Sequence, residues 1–119
     1  LAKQGETNVW KQLQLDASPL GYRLHRNQRY KGQTIKGAWV DCGVGGDGGS
    51  DLIGYRILTV TPEMVGKKIA QFVAQETKVK DKKGSAEQER FLNRIRLDGG
   101  LACVSRSIND LLEEEKRWL

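Results

Sequence analysis

The run Ile69-Ala70-Gln71-Phe72-Val73-Ala74-Gln75-Glu76-Thr77-Lys78-Val79 is followed by Ser85-Ala86-Glu87-Gln88-Glu89-Arg90-Phe91-Leu92-Asn93-Arg94-Ile95-Arg96-Leu97 and then by Leu101-Ala102-Cys103-Val104. These three segments decide the fold. The first is apolar and ends on charged residues, as a strand does where it leaves a core. In the second, Phe91, Leu92 and Ile95 fall on one helical face, and Ser85 with Gln88 forms a capping box at its start. Asp98-Gly99-Gly100 ends that helix, because glycine accepts the left-handed turn that follows. The third is a short apolar strand of the kind found in the middle of a sheet. Strand, helix and strand in that order imply a crossover and a parallel pair.

Working outward, Asp51 to Thr61 reads as a second long strand, carrying Leu52, Ile53, Tyr55, Ile57, Leu58 and Val60. Ala38 to Cys42 and Tyr22 to His25 read as shorter ones. Gly5 to Ala17 is helical, with Trp10, Leu13 and Ala17 as its apolar stripe, stopped by Asp16, Ser18 and Pro19. Ser107 caps a last helix with Ile108, Leu111, Leu112 and Trp118. The expected fold is α/β, a mixed central sheet flanked by helices, in one domain spanning residues 1–119.

Composition agrees with a soluble globule. The chain of 119 residues is 38% hydrophobic and 29% charged, with 20 basic against 15 acidic residues and a net charge of +5. No apolar run approaches the about 18 residues of a membrane helix. Leu1 to Glu6 lacks the apolar core of a signal peptide. A cytoplasmic protein with no membrane partner is expected. Cys42 and Cys103 are read as buried free thiols rather than a disulfide, and one histidine, His25, is too few for a zinc site. A pI near 9.4 suits a polyanionic partner.

Gly43-Val44-Gly45-Gly46-Asp47-Gly48 fits the dinucleotide fingerprint G-x-G-x-x-G, but that motif needs a helix after it. Here Ser50-Asp51-Leu52-Ile53 follows and reads as strand, so no dinucleotide is expected.

Chemistry concentrates at Asp51, Glu76 and Lys78. Strand side chains alternate, so Phe72, Ala74, Glu76 and Lys78 share one face while Val73, Gln75 and Thr77 share the other. Were strands 51–61 and 69–79 a hairpin, Asp51 at the start of one would meet Glu76 at the end of the other. Two carboxylates suit Mg²⁺ or Mn²⁺, and a lysine beside them stabilises developing charge. The alternative is a plain ion pair between Glu76 and Lys78. Glu6 lies on the buried stripe of the first helix, either facing the site or simply an acid in a first turn. Gln88 is on an inward face, with the capping box as its other explanation. Lys80, Lys82 and Lys83, then Arg90, Arg94 and Arg96, are positioned to hold phosphates or to form a solvated face.

Four segments, Gly49-Ser50-Asp51-Leu52-Ile53-Gly54, Gln75-Glu76-Thr77-Lys78, Ala86-Glu87-Gln88-Glu89-Arg90-Phe91-Leu92 and Gly99-Gly100-Leu101-Ala102-Cys103-Val104-Ser105-Arg106-Ser107, occur in this order. Together they resemble the virus-type replication-repair nuclease (VRR-NUC) domain of the PD-(D/E)xK superfamily, over nearly the whole chain. The resemblance implies a restriction-endonuclease-like α-β-β-β-α-β core. It implies metal binding by Asp51, Glu76 and the Thr77 carbonyl with Glu6 nearby, a catalytic Lys78, and a catalytic-site Gln88. Ser50 stands where the pattern usually has proline, and Arg26-Asn27 resembles the family's early Arg/Asn segment, with no role attached. Small stand-alone members are often phage-encoded homodimers acting on branched DNA. The expectation is therefore a metal-dependent, structure-specific DNA endonuclease, for instance of four-way (Holliday) junctions, in the cytoplasm of a bacterial host. The rival readings are a non-catalytic DNA-binding or adaptor domain, and a flap or nicking nuclease.

Overall fold

The computed structural model describes residues 2–79 and 83–119, so Lys80 and Lys82 lie outside the described residues. The chain forms two compact units, Leu1–Leu58 and Thr59–Leu119.

In the first unit, α1 (Ala2–Ala17) runs into a 3-10 turn at Ser18–Leu20, where Pro19 starts the turn and Gly21 closes it with a positive φ. Then follow β1 (Tyr22–Arg26), β2 (Tyr30–Gln33), β3 (Trp39–Cys42) and β4 (Leu52–Arg56). β1 pairs antiparallel with β4, placing Leu24 opposite Gly54 and Arg26 opposite Leu52. β2 and β3 make a separate antiparallel ribbon. Gln14 of α1 donates from Nε2 to the Leu24 carbonyl at 2.9 Å, fixing the helix on β1. The α1 stripe is unevenly covered: Ala17 is buried, Trp10 half-buried and Leu13 exposed.

In the second unit, β5 (Val73–Thr77) pairs in parallel with β6 (Leu101–Ser105), joined by α2 (Ala86–Leu97), and α3 (Ile108–Trp118) follows. Both helices pack on β6. The core is Leu92 and Ile95 of α2 with Leu101, Ala102 and Cys103 of β6, so the strand is buried nearly throughout. The α2 capping box is complete: Gln88 N–H donates to Ser85 Oγ at 3.1 Å, and Ser85 N–H to Gln88 Oε1 at 2.8 Å. Glu87 and Glu89 in the first turn and Arg94 and Arg96 in the last complement the helix dipole. The turn from α2 to β6 is close-packed at Gly100, where a Cβ would press on Ile95 Cγ2 at 2.6 Å and on the Phe72 carbonyl at 2.8 Å.

The α/β class and the strand–helix–strand order agree with the sequence reading. A single mixed sheet does not: among the described residues the strands form three two-stranded sheets. The expected parallel pair is present as β5–β6, but the expected hairpin of 51–61 with 69–79 is not, and β4 pairs with β1 instead. The run 57–72, with its 3-10 turn at Pro62–Met64 and a positive φ at Gly66, is far longer than a hairpin loop. Cys42 is exposed rather than buried, at the end of a two-stranded ribbon whose β3 residues are mostly exposed; Cys103 is buried, and both are free. Ser107 sits at the N-cap of α3 without a side-chain cap bond, and Asp110 Oδ2 instead accepts the Arg106 N–H at 2.7 Å. Among the described residues no helix is long and apolar enough to cross a membrane.

Candidate functional site

β5 shows the period of two that its sequence predicts. Ala74, Glu76 and Lys78 are half-buried, while Val73, Gln75 and Thr77 are exposed. Glu76 and Lys78 therefore project to one face, where Lys78 Nζ lies 3.2 Å from Glu76 Oε1, with side chains 21% and 30% exposed. Such a pair is electrostatically stronger than a surface pair, because less water screens it.

Glu76 and Gln88 line one depression of about 270 Å³, together with Ala74, Phe91 and Leu92. α2 delivers Gln88 there because the capping box fixes its first turn, and the box also occupies Gln88 Oε1. Thr77 and Lys78 line a second depression, of about 420 Å³, with Ser105 and Arg106. Both lie where the parallel strands end, the usual location of ligand crevices in parallel sheets.

Arg106 was not singled out by sequence reasoning. It lines the second depression and also a third, with Lys83 and Glu89. The expected parallel pair of 69–79 with 101–104 put Arg106 at the carboxyl end of the sheet; the register, with Thr77 opposite Ser105, is what sets it beside Lys78.

Of the expected phosphate-binding residues, Lys83 is exposed. Arg90 Nη2 is 3.7 Å from Glu87 Oε1, and Arg94 Nη1 is 3.7 Å from Asp98 Oδ1, both arginines remaining largely open to solvent. Arg96 has a structural position instead. Its Nε donates to the Ala102 carbonyl at 2.7 Å and lies 3.4 Å from Glu114 Oε1, tying α2 to β6 and α3.

In the first unit, Asp51 immediately precedes β4 with its side chain 86% exposed, 3.6 Å from Arg26 Nη1. Arg26 stacks over Trp10, its guanidinium carbon 5.2 Å from the ring centroid. The glycine loop leads through a short 3-10 turn, Gly46–Gly48, into strand β4, not into a helix. Glu6 lies within α1, and its side chain is outside the described part.

Among the described residues no three His, Cys, Asp or Glu side chains form one group. Taken separately, each carboxylate has the donor chemistry that suits Mg²⁺ or Mn²⁺: Asp51 is exposed, Lys78 engages only Oε1 of Glu76, and Mg²⁺ typically takes one or two protein carboxylates with water and phosphate completing its shell. No family model, curated protein or solved structure matches this chain.

Proposed function

We propose that this protein is a divalent-metal-dependent DNA endonuclease of the VRR-NUC type, with a restriction-endonuclease-like core, hydrolysing phosphodiester bonds in branched DNA such as four-way junctions. The observation that carries the reading is the half-buried Glu76–Lys78 pair at the carboxyl end of the parallel strands, beside Gln88. In this reading Glu76 and the Thr77 carbonyl are the second unit's ligands for Mg²⁺ or Mn²⁺, and Asp51 and Glu6 the first unit's. When bound, the ion supplies Lewis acidity to the phosphodiester and makes water a better nucleophile. Lys78 orients that water and offsets negative charge developing on phosphorus-bound oxygen. Gln88 keeps Nε2 for a hydrogen bond while its Oε1 holds the helix start. Lys83, Arg90 and Arg94 hold the DNA backbone, joined by Lys80 and Lys82 and by Arg106.

The deciding experiment is incubation of labelled four-way, flap, nicked and linear DNAs with Mg²⁺, Mn²⁺ or EDTA. Metal-dependent cuts in branched DNA are expected. A panel left intact with every metal overturns the reading. A second reading, a non-catalytic DNA-binding module, is favoured by one fact: the Glu76–Lys78 ion pair and the Ser85–Gln88 capping box each give these residues a structural role. Tight DNA binding without cleavage would select it.

A further inference from the structure

Asn27 is a buried polar residue, only 5% exposed, to which the sequence reading attached no role. Its carboxamide is fully used. Nδ2 donates to the Val44 carbonyl at 2.8 Å and to the Ser50 carbonyl at 2.9 Å, and Oδ1 accepts the Val44 N–H at 2.8 Å. Its backbone N–H donates to the Asp51 carbonyl at 2.9 Å, where Arg26 Nη1 also donates at 2.9 Å. The carbonyls on both sides of the Asp51 Cα are thus gripped by residues 26 and 27, while the Asp51 carboxylate stays open.

The segment needs such a grip. Between Cys42 and Asp51 the chain is mostly glycine, with positive φ at Gly43, Gly45 and Gly46, and glycine has the most conformational freedom to lose. An aspartate at the end of this loop would wander unless the loop were tied. The loop also closes tightly on Asn27: a Cβ at Gly49 would collide with the Val44 carbonyl and stand 3.2 Å from Asn27 Nδ2.

We propose that Asn27 is a positioning residue for Asp51, fixing the backbone from which that carboxylate reaches a divalent cation. The inference rests on the nuclease reading, in which Asp51 is a ligand. With its carboxamide engaged in the loop, Asn27 acts through the Ser50 and Asp51 peptide groups and not as a ligand. Removing its Nδ2–H donors takes the tie from the Val44 and Ser50 carbonyls and frees the loop, so the cation must then order Asp51 itself.

The test uses the full chain and the variants Asn27→Asp and Asn27→Ala, with Gly49→Ala, which displaces the loop without altering Asn27, as a second route. Mn²⁺ affinity is read by electron paramagnetic resonance without DNA, Val44 amide exchange by NMR, and cleavage as a function of Mn²⁺ concentration. The expectation is faster Val44 exchange and a half-saturating Mn²⁺ concentration raised about tenfold or more, with cleavage recovering at saturating Mn²⁺. A role confined to stability would lower the folded fraction and leave half-saturation unchanged. Wild-type half-saturation in all three variants, with an active wild-type protein, overturns this inference and leaves the nuclease reading standing. A wild-type protein that neither binds Mn²⁺ nor cuts DNA overturns the nuclease reading, and this inference with it.

Discussion

Lys78 Nζ lies 3.2 Å from Glu76 Oε1 across one face of β5, two residues apart on a strand whose other face carries Gln75 and Thr77 in solvent. That placement needs only the pleat of a strand and one buried side. It gives the proposed chemistry its acid and its cation in a fixed mutual geometry, whatever holds the remaining groups.

Asp51→Ala, Glu76→Ala and Lys78→Ala are each expected to lower single-turnover cleavage by about a hundredfold or more, the usual scale for losing an electrostatic stabiliser of the transition state. Far-ultraviolet circular dichroism should remain that of the parent protein. A folded Glu76→Ala that cuts at the parent rate refutes the assignment.

Lys80→Ala/Lys82→Ala/Lys83→Ala should weaken binding to all duplex sequences alike. Each lost phosphate contact should reduce the slope of log K against log salt by about 0.9. Arg106→Ala is expected to act in the same way, whereas Arg96→Ala should act on stability, because its guanidinium is held by the Ala102 carbonyl and Glu114. Fluorescence anisotropy across a salt series checks this; an unchanged slope in the triple variant would place the DNA elsewhere.

Ile95, 1% exposed, lies against Gly100, where a Cβ would meet its Cγ2. Ile95→Ala should cost about 2–5 kcal/mol through lost burial and a cavity. Gly100→Ala should cost about 1–3 kcal/mol through overpacking against Ile95 and the Phe72 carbonyl. Urea titration of each variant measures both, and a midpoint unmoved by either would show that this packing contributes little.

Two equal active sites suit a two-fold symmetric junction, so the proposed active unit is a homodimer. α3 is the interface candidate, since Ile108, Leu112 and Trp118 are exposed along it. Sedimentation equilibrium at micromolar protein, with and without a four-way junction, should show the dimer, and Leu112→Asp should weaken it. A monomer under both conditions rules the dimer out.

The second unit was legible because its signals are local. Ser85 and Gln88 cap a helix within four residues, Gly99 and Gly100 end it, and the alternation at 73–78 sets the face of Glu76. The crossover also named the parallel partner of 69–79, but the partners of the earlier strands were not legible, because alternation identifies a strand without naming its neighbour. Ile57, Val60 and Ile69 continue the apolar pattern, yet β4 ends at Arg56 and β5 starts at Val73. β2 escaped notice for a related reason: Tyr30-Lys31-Gly32-Gln33 has little apolar pattern, and it is a strand through its pairing with 39–42. Asn27 was visible only as a residue type; that its amide reaches Val44 and Ser50 depends on the path of the loop.

Each residue of β5 pairs with the one 28 positions further on, Val73 with Leu101 and Thr77 with Ser105. Closing a parallel pair over that separation costs less chain entropy when α2 has already drawn twelve residues into a rod, Ala86–Leu97. The expected order of events is a helix substantially formed when the strands meet. Ser85→Ala, which removes the cap, should therefore act mainly by slowing the folding of this unit, with little change in its unfolding rate. Stopped-flow chevrons would show the folding arm displaced and the unfolding arm nearly coincident; the reverse pattern would mean that the strands meet first and the helix condenses onto them.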